Sequence, residues 1–112
     1  MCTIANGVVF VLSAALLATS SMAQETAAEV TDAQIALLKT GMHTGCQKRG
    51  IERGHDPAKV NAFCDCMSRT LETTVTREDW QQLYWLEWHG EHAQEEALLA
   101  KWLPGVQACT TL

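Results

Sequence analysis

Apolar residues recur at helical spacing in the middle of the chain. One such set is Val60, Phe63, Cys64, Met67 and Leu71. Residues at these intervals share one face of a helix. The segment starts with Asp56 as a cap and Pro57 at the first helical position, where a missing N–H group costs nothing. We predict a helix from Pro57 to Glu72 that turns this face to the core.

An earlier helix is predicted from Asp32 to Arg49. Thr31 and Gln34 fit a capping box at its start, and Gly50 can take the left-handed conformation that closes a helix. The short loop of residues 50–56 makes the first two helices an antiparallel hairpin.

Two glycines, Gly41 and Gly45, lie inside this first helix, four residues apart. Glycine in a helix interior costs about 1 kcal/mol relative to alanine. We therefore expect a neighbouring helix to approach closely along their side, with a break near Gly41 as the alternative.

A third helix begins after Thr76, which can cap it, and is predicted from Arg77 to His89. We expect Gly90 to break the helical pattern, because a straight continuation would put glutamates on the apolar stripe. A fourth helix then runs from Glu91 to Leu103 and ends at Pro104-Gly105. No segment alternates with a period of two, so the predicted fold is all-α, a four-helix domain made of two hairpins.

The first 23 residues resemble a signal peptide. Gly7 to Ala18 is an apolar run, and Ser21-Met22-Ala23 offers small residues at the positions that signal peptidase reads. A retained anchor is the alternative, although the run is shorter than the roughly 20 residues of a spanning helix. We predict cleavage after Ala23, a flexible lead-in over residues 24–30 and one domain over residues 31–112. The cleaved protein would have no stable membrane insertion.

Charge and cysteine content indicate where such a protein works. The net charge is −5, which argues against nucleic acid as a partner. Of the five cysteines, Cys2 belongs to the predicted signal peptide, and an even set remains. Paired cysteines persist in oxidising compartments, so we predict a periplasmic or secreted protein.

The remaining cysteines are Cys46, Cys64, Cys66 and Cys109. Successive helical residues turn by about 100°, so Cys64 and Cys66 point to nearly opposite sides of one helix. Hairpin geometry brings Cys46 near Cys64, which leaves Cys66 for Cys109. The alternative pairs Cys46 with Cys66 and Cys64 with Cys109.

Aromatic residues are the best sign of a binding partner. We predict a partner-binding surface of Trp80, Tyr84, Trp85, Trp88 and Trp102, because tryptophan and tyrosine are enriched at protein interfaces. The partner would be a protein of the cell envelope, a second copy of the chain or an unfolded client protein. The alternative is that Trp85 covers the fourth helix as part of the core. No catalytic constellation is recognisable, so we predict a non-enzymatic accessory or binding protein without a cofactor.

A metal-binding protein or copper chaperone is the alternative function. One candidate site has soft sulfur ligands suited to Cu(I); its residues are Cys64, Cys66, Met67, Met42 and His43. A separate candidate pairs His92 with Glu96 on one helix face, with Glu95 near. Each hypothesis competes with the simpler view that these residues are structural or solvated.

Overall fold

The computed structural model describes residues 26–111, and that part of the chain is helical without a strand. The predicted signal peptide and its cleavage site lie outside the described residues. Five α-helices follow a 3-10 turn at Ala27–Glu29, and a second 3-10 turn occupies Ala108–Thr111. The helices are α1 (Asp32–Glu52), α2 (Pro57–Thr74), α3 (Arg77–Trp88), α4 (His92–Leu99) and α5 (Leu103–Gln107).

The three helix starts for which a side-chain cap was predicted are present. Thr31 Oγ1 accepts from the Gln34 amide at 3.2 Å, while Gln34 Oε1 accepts from the Thr31 amide at 2.8 Å, which completes the capping box. Asp56 accepts from the Lys59 amide at 3.2 Å. Thr76 Oγ1 accepts from the amide three residues on at 3.1 Å. Each cap satisfies an amide that the helix itself leaves unpaired.

The first helix ends later than predicted. Gly50 stays helical, and the closing glycine is Gly54, with φ +82°. The amide of His55 donates to the Gly50 carbonyl at 3.2 Å, a hydrogen bond typical of a glycine-closed helix end. Helix α2 likewise runs two residues further than predicted, to Thr74.

The predicted break at Gly90 is confirmed. Gly90 has φ +69°, and the amide of Glu91 donates to the Leu86 carbonyl at 2.9 Å, which closes α3. The prediction of a single fourth helix from Glu91 to Leu103 is wrong, because α4 ends at Leu99 and α5 begins at Leu103. Pro104 lacks the N–H group that would donate to the Ala100 carbonyl, which disfavours a helix that continues over this turn, and proline is instead accommodated in the first turn of α5.

Two buried clusters form the core. The larger cluster joins the N-terminal turn, α1, α2 and α3, and consists of Val30, Ile35, Leu71, Val75, Trp80 and Leu83. The smaller one, Cys46, Val60 and Cys64, lies within the α1–α2 hairpin. The buried Gln81 donates to the carbonyls of Ala28 at 3.3 Å and Val30 at 3.0 Å. The end of the predicted lead-in is therefore packed against α3.

Both predicted disulfides are present. Cys46 is bonded to Cys64, with Cα atoms 5.9 Å apart, and Cys66 to Cys109, with Cα atoms 5.8 Å apart. The first joins the two helices of the hairpin. The second attaches the C-terminal 3-10 turn to the other side of α2.

The expected close approach along α1 occurs at a different glycine. A Cβ atom on Gly50 would lie 2.7 Å from Cγ1 of Val60 in α2. Gly41 has open space on that side, and Gly45 faces only the side chain of Arg49 in its own helix. Helix α1 also continues through Gly41 without a break. The prediction for Gly41 and Gly45 was wrong because spacing alone does not show which helix face a neighbour covers.

Within the described residues, every helix is too short or too polar to cross a membrane.

Candidate functional site

Two of the predicted surface aromatics belong mainly to the core. Trp80 is 5% exposed, and the Lys39 ammonium lies 5.1 Å from its ring centroid. Trp102 is half-buried and packs against the larger core cluster, with Lys101 Nζ 5.9 Å from its ring. Neither ring offers a broad free face to a partner.

The exposed aromatic residue is Trp88, at the end of α3. Its side chain is 73% exposed, and its ring lies parallel to that of Tyr84 at a centroid distance of 6.2 Å. Tyr84 is half-buried and contacts the core. The pair therefore extends from the core to the surface, and Trp88 forms the outer end.

Trp85 lies on a different side of α3. It is half-buried against the core and stacks on His89, with ring centroids 4.2 Å apart. His89 Nδ1 lies 2.8 Å from the Trp85 carbonyl, a hydrogen bond that fixes the imidazole. Trp85 lines a cleft with the N-terminal turn, including Val30. Trp85 therefore packs on the core cluster that contains Val30, at the start of the domain.

An apolar groove of about 610 Å³ lies between α1, α3 and α4, and we call it the α1–α3 groove. Its apolar lining consists of Leu37, Leu38, Met42, Leu83, Tyr84, Trp88 and Leu99. Leu37 is 69% exposed and comes from α1, so two large exposed apolar side chains flank the groove. Sequence reasoning missed Leu37. The sequence indicated its exposure only indirectly, because Leu37 is an apolar residue that lies outside the helix face shared by Ile35 and Leu38.

A second and larger groove, of about 760 Å³, lies over the Cys46–Cys64 disulfide and the α1–α2 loop. Its walls include Phe63 and Met67, and three exposed cations, Arg49, Arg53 and Lys59, are among its lining residues. It lacks the exposed aromatic side chain that distinguishes the α1–α3 groove.

The turn between α3 and α4 brings an imidazole and two carboxylates together. Donor atoms of Glu87, His92 and Glu95 all lie within 4.8 Å of one another. The sequence suggested His92 with Glu96, and Glu95 near. The cluster instead takes Glu87 from the other side of Gly90, a partner that helical spacing alone does not reveal.

Within this cluster, the carboxyl group of Glu95 has a raised pKa. Burial, a hydrogen bond with Glu87, and the charges of Glu87 and Glu96 together raise the pKa of Glu95 from 4.5 to about 7. Its Oε2 atom is buried, and no N–H or hydroxyl group of the described residues donates to it. An ionised Glu95 therefore lacks a compensating contact on that oxygen.

The candidate Cu(I) site predicted from the sequence has no free thiolate ligand in the structure. Cys64 and Cys66 are both in disulfides, so neither supplies the anionic sulfur that binds Cu(I). His43 Nε2 lies 2.8 Å from Asp65 Oδ1 and connects α1 to α2. Met42 and Met67 are half-buried against the core.

Comparison of the chain with protein-family models, curated proteins and solved structures found no match.

Proposed function

We propose that the chain is a small exported, non-enzymatic binding module that holds an apolar segment of a partner protein in the α1–α3 groove. The observation that supports this most is the 73% exposure of Trp88, when Trp80 of the same helix is 5% exposed. A tryptophan that sealed the core would lie like Trp80. An exposed aromatic side chain beside an apolar groove is typical of a binding surface.

The groove has the form that suits an amphipathic helix or a similar apolar segment. Leu37 on α1 and Trp88 on α3 flank an apolar floor that includes Leu38 and Leu83. Grooves between helices bind partner helices through apolar side chains at helical spacing. Glu87, Glu95 and Arg49 also line the groove, so polar contacts at its edge are available to orient the partner.

Export is supported by the two disulfides, because such bonds persist in oxidising compartments. They also hold the hairpin and the C-terminal turn in place. A preorganised surface loses less conformational freedom on binding than a flexible one.

The test is site-specific photo-cross-linking in cells that make the protein. A photoreactive residue at position 88 should give a discrete adduct with one other exported protein, and position 37 should give the same adduct. Position 51 is the matched control, because Ile51 is 52% exposed but lies at the end of α1 beside the hairpin loop. An adduct of two copies of this chain would make the partner a second copy.

The purified partner then allows a quantitative measurement. Tryptophan is a common hot-spot residue, with losses of about 2 kcal/mol or more on truncation. Trp88→Ala should therefore weaken binding roughly 30-fold, whereas Ile51→Ala should leave the affinity nearly unchanged. Equal adducts from all three positions, or equal affinities of both variants, would refute the proposal.

A further inference from the structure

We infer that Glu87, His92 and Glu95 form a binding site for a divalent transition-metal ion of the zinc class, which connects the end of α3 to the start of α4. The three donor atoms all lie within 4.8 Å of one another. Glu87 and Glu95 also line the α1–α3 groove, but the inference concerns metal binding by the chain alone and is tested without a partner.

The backbone explains why the donors converge. Gly90, with φ +69°, lets the chain reverse between Glu87 in α3 and His92 at the start of α4. Glu95 lies one helical turn after His92, on the same side of α4. The site therefore takes ligands from both sides of a tight turn, so a bound ion would hold the two helices in one relative orientation.

The distances between the three donor atoms suit a small ion after a minor adjustment of the side chains. Zinc binds imidazole nitrogen and carboxylate oxygen at about 2.0–2.2 Å, so three ligand atoms of a tetrahedral site lie roughly 3.4 Å apart. Contraction from a separation of 4.8 Å or less requires each donor atom to move by less than about 1 Å. Glu87 and His92 are exposed and have the freedom to make this adjustment.

Glu95 carries a buried oxygen that a bound cation would contact. Its Oε2 atom is buried without a hydrogen-bond donor among the described residues. Within residues 26–111, the ion pairs of Lys and Arg involve other carboxylates, not Glu87 or Glu95. A metal ion would give this oxygen a partner and reduce the repulsion between the two carboxylates.

The donor set identifies the class of ion. Imidazole nitrogen favours zinc and its transition-metal neighbours, whereas calcium and magnesium prefer oxygen ligands alone. Three protein ligands leave the fourth position of a tetrahedral ion to water.

The test is calorimetric titration of the oxidised, chelator-treated protein with Zn(II) at neutral pH, alongside Co(II) absorption spectroscopy. We expect one ion per chain and a Co(II) spectrum of a site with nitrogen and oxygen ligands. His92→Gln and Glu95→Gln should each weaken Zn(II) binding roughly tenfold or more. Circular dichroism shows whether each variant keeps its helices.

Two neighbours serve as matched controls. Glu96→Gln removes the adjacent charge without removing a proposed ligand, and His89→Gln removes the other imidazole of the turn. Both should leave the affinity within about threefold of the wild-type value, since an exposed neighbouring charge contributes little. Failure to bind Zn(II), equal losses in Glu96→Gln and Glu95→Gln, or Ca(II) binding as tight as Zn(II) binding would overturn the inference.

Discussion

The α1–α2 hairpin and the α3–α4 segment are stabilised in different ways. In the hairpin, α2 carries one cysteine on each of two sides, and each is bonded to a different part of the chain. The α3–α4 segment has no cysteine. It is held by the burial of side chains such as Leu83 and Leu86, each 2% exposed.

The most exposed tryptophan and the cluster of an imidazole with two carboxylates both lie in the segment without disulfides. Trp88 projects from α3, and the cluster of Glu87, His92 and Glu95 lies at the α3–α4 turn. The cross-linked hairpin therefore supports a neighbouring segment that presents Trp88 and this cluster to solvent.

Removal of the Cys66–Cys109 disulfide should have the largest effect on stability. Its cysteines are 43 residues apart, for which the loop-closure argument gives about 4 kcal/mol. The double variant Cys66→Ala/Cys109→Ala should lose about this much free energy of unfolding in urea titrations. Cys46→Ala/Cys64→Ala, with a separation of 18 residues, should lose about 3 kcal/mol. A loss below about 1 kcal/mol in the first variant would show that packing alone holds the C-terminal turn.

Two glycines in α1 test how far packing contributes within the cross-linked hairpin. Gly50→Ala places a methyl group 2.7 Å from Val60 Cγ1, so we expect a net loss of about 1–3 kcal/mol. Gly41→Ala meets no atom within 4 Å and should gain up to about 1 kcal/mol from helix propensity. Urea unfolding measures both. Equal effects would mean that the disulfide alone sets the distance between α1 and α2.

The smallest effect is a pH dependence that comes from Glu95. Its pKa is about 7 in the folded protein and 4.5 when unperturbed, so the folded state holds the extra proton between these values. Below about pH 4.5 both states are protonated, and as the pH rises through 7 the stability contributed by the protonated group is lost. Because Glu95 is partly exposed, we expect a change of about 1 kcal/mol or less.

This dependence is measured by urea unfolding at about pH 5 and about pH 8 with a chelator present. Wild type and Glu95→Gln should be nearly equal at the lower pH, and the variant should be the more stable one at the higher pH. A constant difference between the two proteins across this range would contradict the assignment to Glu95.

Helix starts and disulfides were predictable because they depend on local chemistry. Thr31, Asp56 and Thr76 cap their helices through hydrogen bonds that span three residues. The 100° rotation between successive residues separates Cys64 from Cys66. The pairing of the cysteines needed one tertiary relation in addition, the antiparallel hairpin that the short loop of residues 50–56 predicts.

The packing glycine, the α1–α3 groove and the cluster at the α3–α4 turn could not be predicted, because they depend on tertiary contacts. Gly50 could not be recognised as a packing site until Val60 was placed against it. Leu37 was missed because the groove combines α1 with α3, and Glu87 because its neighbours His92 and Glu95 lie beyond a turn. The sequence also overestimated the aromatic surface, since only contacts with the core distinguish Trp80 from Trp88.

The opposite orientations of Cys64 and Cys66 on α2 also restrict which disulfides can form once this helix is folded. During synthesis, Cys46, Cys64 and Cys66 leave the ribosome before Cys109, so for a time Cys46 has two possible partners close together in sequence. In the folded hairpin, α2 turns Cys64 toward Cys46 of α1, and Cys66 lies on the other side of α2, where it is bonded to Cys109. Before α2 is helical this restriction is absent, and a Cys46–Cys66 bond formed at that stage would require thiol–disulfide exchange to recover.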